Sequence, residues 1–135
     1  MKPFVWPVRI YWEDTDAGGV VYYANYLKFM ERARTEWLRT LGIEQGPLQE
    51  QLGLIFVVVD AQTRFRKPAR YGDLLAVTCS VAEHSRASLS FRQDIYRETA
   101  PDELLAAGTI RVACVDFKTF KPRPLPQVLL TESKK

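Results

Sequence analysis

The sequence predicts an α+β fold in which an antiparallel sheet of about five strands wraps around one long central helix. Three observations predict it. One sustained pattern of apolar residues at helical spacing occupies residues 25–41. Four consecutive strand-like segments follow between residues 54 and 117, separated by turn residues. The 135 residues suit one domain, 1–135, long enough to bury a substantial core. A helix first and strands afterwards favour an antiparallel sheet over alternating parallel units.

Taken in order, residues 7–12 read as a first strand, with Val8, Ile10 and Trp12 alternating against Arg9, Tyr11 and Glu13. The helix places Tyr26, Phe29, Met30, Ala33, Trp37 and Leu41 on one stripe. Asn25 is its expected N-cap, Gly42 its stop, and Arg32 with Glu36 an i, i+4 ion pair. Gly46-Pro47 breaks the chain, and residues 48–52 suggest a short helical turn ended by Gly53. Residues 54–59 are an apolar run and 61–66 alternate, until Pro68 interrupts. After a turn at Tyr71-Gly72-Asp73, the residues Leu75, Val77, Cys79 and Val81 fall at period two. A turn over 83–86 leads to Leu89, Phe91 and Ile95, again alternating. Ala100-Pro101-Asp102 reads as a turn, and the last strand spans about 104–117. Pro122, Pro124 and Pro126 prevent its extension, and 131–135 form a polar tail.

Composition narrows the function. Hydrophobic residues at 47% and charged residues at 26% are ordinary globular values. A net charge of +3 permits an anionic small ligand but does not argue for nucleic acid. The apolar start is interrupted by Pro7, Arg9 and Glu13, so no signal peptide is expected, and no run is long enough to span a membrane. Cys79 and Cys114 are spaced unlike metal ligands and read as buried free thiols, which suits a reducing cytoplasm. No metal site is expected. His84 is the only histidine and sits in the expected turn E-H-S-R, where it reads as solvated.

The chemically suggestive stretch is residues 9–39. Asp16 stands at a bend just before Ala17, Gly18 and Gly19, and the helix begins a few residues later. Free N–H groups at a helix start, with the positive end of the dipole, stabilise an anion or a polarised carbonyl. A carboxylate beside such a site is what acyl transfer requires. By spacing alone, Asp14 and Asp16 serve equally well as turn-capping aspartates. Glu13 and Asp14 face apart on an extended chain and are assigned no role. Glu31 reads as a solvated helix residue that could approach a site between protomers.

The string D-T-D-A-G-G-V-V-Y-Y-A-N-Y followed by F-M-E-R-A-R-T-E-W-L-R resembles the 4-hydroxybenzoyl-CoA thioesterase-like family of hotdog-fold proteins, most of all its bacterial Tol–Pal-associated acyl-CoA thioesterases. The likeness continues at R-K-P-A-R-Y-G-D-L-L and V-A-C-V-D, and so covers nearly the whole chain. It implies the hotdog fold, Asp16 as the catalytic carboxylate, and the backbone N–H of Tyr23 as the group that polarises the thioester carbonyl. Many Tol–Pal-associated members have His where this chain has Tyr23. The resemblance also implies a homodimer or homotetramer with sites at the protomer interface.

The expected activity is hydrolysis of an acyl-CoA to a carboxylate and free coenzyme A, with Asp16 acting as general base or as nucleophile. Coenzyme A is then part of the substrate, and no separate cofactor is expected. Gly19 and Val20 are expected against the substrate, where a residue without a side chain allows close approach. The phosphates of coenzyme A need cations, for which Lys67, Arg70 and Lys121 are the candidates. Phe29, Met30, Tyr22 and Tyr26 serve equally as pocket or core, leaving the acyl group open. A different class of function is an adaptor with little turnover that binds acyl carrier protein. A hotdog dehydratase is disfavoured, because the His-bearing motif of such enzymes is absent.

Overall fold

The computed structural model describes residues 3–133. The elements are β1 (Phe4–Arg9), a 3-10 turn (Trp12–Asp14), α1 (Asn25–Thr40), α2 (Gln45–Leu52), β2 (Leu54–Phe65), β3 (Leu74–His84), β4 (Ser88–Arg97), β5 (Ala100–Asp116) and α3 (Gln127–Ser133). The five strands form one antiparallel sheet in the order β1-β3-β4-β5-β2. The expected α+β architecture is present, and α1 is its central column.

Helix α1 buries Tyr26, Phe29, Met30, Ala33, Arg34 and Leu38. They meet the inward residues of the sheet, among them Leu75, Val77 and Cys79 of β3, Leu89, Phe91 and Ile95 of β4, and Leu105 and Ile110 of β5. Trp37 stands edge-on to Phe91 at 5.5 Å. The helix stops through a Schellman arrangement: Gly42 takes φ +80°, its N–H donates to Arg39 O, and the Ile43 N–H donates to Leu38 O. Gly108 of β5 is bare because Met30 lies over it. A Cβ there would come within 2.9 Å of Met30 Cε.

Several local expectations are corrected. Strand β1 starts at Phe4 and ends at Arg9, since the chain then winds into the 3-10 turn. Asn25 is the first helical residue and not the N-cap. Ala24 holds that position without a side-chain bond, while Asn25 Nδ2 donates to Asp14 O at 2.9 Å. The helix carries the pairs Glu31–Arg34 and Glu36–Arg39 instead of Arg32–Glu36. Arg32 lies over the Phe29 ring. Residues 54–65 form one strand that absorbs a bulge between Val58 and Asp60. Ala100-Pro101-Asp102 opens β5 rather than turning, and His84 closes β3. Residues 131–133 end α3 and are not a tail; 134 and 135 lie outside the described residues.

One buried polar cluster was not foreseen. Arg34 donates to Gln93 Oε1 at 2.9 Å, and Gln93 Nε2 donates to Met30 O at 2.9 Å. Both side chains are buried, so the bonds tie α1 to β4 through a dry interior where a missing partner is costly.

Candidate functional site

The site is built on the turn between the 3-10 segment and α1. Asp16 O accepts the Gly19 N–H at 3.0 Å, and Asp16 Oδ1 accepts the Gly18 N–H at 2.8 Å. Gly19 holds φ +80°, a conformation that favours glycine, so the sequence G-G is what permits so tight a bend. The Asp16 N–H donates to Val20 O at 2.9 Å and closes the loop. One carboxylate oxygen is thereby fixed by the backbone, and the second faces solvent with no partner among the described residues.

The turn is locked to the start of α1. Asp14 O accepts both the Tyr22 N–H at 3.0 Å and Asn25 Nδ2 at 2.9 Å, and the Asn25 N–H donates to Tyr22 O. Among the described residues, the Tyr23 and Ala24 N–H groups have no acceptor. They are orphan donors at the positive end of a sixteen-residue helix. A carboxylate and open amides on one short segment can activate a nucleophile and stabilise the oxyanion it creates.

The loop over residues 66–73 forms the neighbouring wall. Val20 and Arg70 make an isolated antiparallel bridge, and the Val21 N–H donates to Ala69 O at 2.9 Å. The Ala69 N–H donates to Tyr26 Oη at 3.0 Å. Burial raises the Tyr26 phenol pKa against the pull of this bond and of Arg97, so it stays neutral. Phe65 stands between the Tyr23 and Tyr26 rings, 6.0 and 5.4 Å from their centroids. Beyond them a groove opens between α1 and β2, with Leu27, Glu31, Arg34, Val58, Ala61 and Ile110 among its walls.

The structure therefore gathers Asp16, Gly19, Val20, the Tyr23 N–H and Arg70. The Arg70 guanidinium has no acceptor among the described residues, whereas Lys67 Nζ lies 3.9 Å from Glu103. Lys121 does not join them within one chain. It follows β5 beside Asp116, which pairs with Leu54, whereas Phe65, next to Tyr23, ends the other side of β2. Twelve strand residues separate those ends by roughly 35 Å. Phe29, Met30 and Tyr26 are core, and Tyr22 is exposed. Glu31 is exposed and paired with Arg34. Sequence reasoning missed Tyr26 Oη and Arg97, because neither stands in a pattern that separates it from a core tyrosine or a strand-end cation.

The chain is also similar to known proteins along most of its length. The chain is 47% identical to the acyl-CoA thioesterase YbgC of Haemophilus influenzae, over 92% of this chain and 89% of that protein. It is 43% identical to the acyl-CoA thioester hydrolase YbgC of Escherichia coli, over 97% and 96% respectively. Its fold matches the crystal structure of Slr0204, a 1,4-dihydroxy-2-naphthoyl-CoA thioesterase from Synechocystis, with a TM-score of 0.91 and 25% identity over 99% of this chain and 97% of that one. The profile of the thioesterase-like superfamily matches residues 10–132, which take in the acid turn, α1 and the sheet from β2 to β5. The chain belongs to that superfamily.

Proposed function

We propose that the protein hydrolyses an acyl-CoA thioester to the free acid and coenzyme A, with Asp16 as the reacting carboxylate and the Tyr23 N–H as the donor to the carbonyl oxygen. The observation that carries this reading is the open oxygen of Asp16 on the same short segment as two unsatisfied amides at the start of α1. The similarity to named acyl-CoA thioesterases over nearly the whole chain supports the substrate class.

Two routes fit. As a general base, Asp16 takes a proton from water, and the hydroxide adds to the thioester carbon. The oxyanion then rests on the Tyr23 N–H until the C–S bond breaks and the thiolate leaves. As a nucleophile, Asp16 adds to the same carbon, expels the thiolate and leaves a mixed anhydride, which water cleaves. Single-turnover reaction in oxygen-18 water tests the second: label in Asp16 marks a mixed anhydride that water cleaves at the Asp16 carbonyl.

Free-thiol release from a panel of acyl-CoAs, short, long and aromatic, tests the function. Asp16→Asn keeps shape and removes charge, and is expected to lower kcat by about 10²- to 10⁴-fold while leaving the chain folded. An active wild type matched by Asp16→Asn would refute the assignment of Asp16. A wild type inert on every acyl-CoA, yet bound by acyl carrier protein, would favour the adaptor reading. The exposed Arg64, Arg66 and Arg70 beside the site support that reading as a docking face for an acidic carrier.

We further read residues 1–135 as one domain that works as a homodimer or homotetramer. Strand β2 is a sheet edge with Val58 and Val59 exposed, and an exposed edge invites pairing. Antiparallel pairing of two β2 strands would bring the Lys121 of one copy toward the acid turn of the other, which restores Lys121 as a phosphate contact. Two buried, unpaired cysteines support a cytoplasmic location. A Tol–Pal role rests on the sequence resemblance alone.

A further inference from the structure

We propose that Arg97 is a positioning residue that holds the catalytic turn in place through the loop over residues 66–73. The proposal rests on the thioesterase reading of that turn. Arg97 continues the inward face of β4 after the buried Phe91, Gln93 and Ile95, and pairs across from the buried Leu75. At this point the face has left the core and runs beneath the loop.

Each nitrogen of the guanidinium has its own acceptor. Nε donates to Asp73 Oδ2 at 3.1 Å, Nη1 to Glu103 Oε1 at 2.9 Å, and Nη2 to Pro68 O at 3.0 Å. Asp73 Oδ2 also accepts the Arg70 N–H at 2.8 Å. A planar fork fixes the spacing of its acceptors, which a single ammonium does not do. Arg97 thus sets where Pro68, Arg70 and Asp73 lie relative to one another and to β5.

Ala69, between two of those anchored residues, is fully buried. Its carbonyl accepts the Val21 N–H, and its N–H donates to Tyr26 Oη. The Val20–Arg70 bridge lies next to the Val21 bond, so the acid turn meets the loop at Ala69 and Arg70 together. The acid turn is therefore tied to the loop at Ala69 and Arg70, and Arg97 holds both in register through Pro68 and Asp73. A shift of about 1 Å at a reacting group suffices to cost on the order of a hundredfold in rate. A surface ion pair without this role would contribute little to anything.

The test compares Arg97→Ala and Arg97→Lys with Arg92→Ala. Arg92 also sits on β4, but pairs only with Asp94 and is half exposed. Amide hydrogen exchange is followed at Val21, with Phe91 as the core reference, alongside thiol release and its rescue by guanidinium ion. The expected result for Arg97→Ala is Val21 exchange accelerated at least about tenfold with Phe91 unchanged, and kcat reduced by roughly 10- to 100-fold. Guanidinium ion should restore both, Arg97→Lys should remain impaired, and Arg92→Ala should match wild type. Val21 exchange unchanged in Arg97→Ala overturns the proposal. So does equal acceleration at Val21 and Phe91, which marks general destabilisation. If wild type releases no thiol from any acyl-CoA, the functional reading fails, while exchange at Val21 still decides whether Arg97 holds the turn.

Discussion

Cys79 is 1% exposed, and burial pushes its thiol pKa up to about 12 against the opposing pull of Arg34. The native thiol should therefore ignore thiol reagents at neutral pH, and labelling should proceed only as fast as the chain opens. Its linkage to stability has a definite sign. The folded pKa lies above the ordinary value of 9.0, so the contribution is complete below that value and is lost as pH rises toward 12. Denaturant midpoints measured from pH 8 to pH 11 should fall, and Cys79→Ala should flatten that slope. Asp116 behaves oppositely. Its Oδ1 accepts the Thr119 and Lys118 N–H groups and its Oδ2 accepts Arg123 Nη1, and these bonds, Thr119 first, hold its pKa below the ordinary carboxylate range. A depressed pKa stabilises above the unfolded value, and the benefit disappears as pH falls through the folded one. Asp116→Asn should lower Tm at pH 7 and make little difference in strong acid.

Helix α1 and strand β5 meet where Gly108 lies under Met30. Gly108→Ala would push a methyl group into the fully buried Met30, and overpacking of this kind costs about 1–3 kcal/mol. Urea denaturation should show that loss, and Met30→Val in the same chain should recover part of it; full stability in Gly108→Ala would mean that the interface has slack. Elements of this kind were the most legible in the sequence. The α1 stripe from Tyr26 to Leu41 and the period-two residues of β3 and β4 follow from geometry alone. The ends were less legible. Asn25 has the chemistry of an N-cap, yet its side chain is drawn to Asp14 O by the fold of the preceding turn. Ala100-Pro101-Asp102 has turn chemistry, yet the chain has already turned at 98–99, and Ala100 pairs with Arg97 of β4. Arg34 carries no local pattern that marks it as buried, because its partner Gln93 comes from distant β4.

At the scale of the molecule, the strand order leaves β2 as an edge, with Val58 and Val59 exposed beside a bulge. A charge placed there should block edge pairing. Val59→Lys is expected to sediment as a monomer under conditions where wild type is a dimer. A wild type that sediments as a monomer throughout would remove the proposed pairing. The overall fold was legible because one helix and four successive strands have few ways to pack. The acid turn of the site was legible because Asp16 and the two glycines fall within four residues. Val20 and Arg70 were singled out in the sequence, but Ala69 and Arg97, which join them, were not, since the four converge from distant parts of the chain through main-chain bonds that side-chain patterns do not record. The two ends of the sheet also differ in a way that matters at the bench. The Leu125 N–H donates to Arg86 O, so α3 begins beside the hairpin that joins β3 to β4, whereas the acid turn lies beside the opposite ends of those strands. A support or a fluorescent label attached after α3 would hold the molecule from behind, with Asp16 turned outward and open to a substrate as large as a nucleotide thioester.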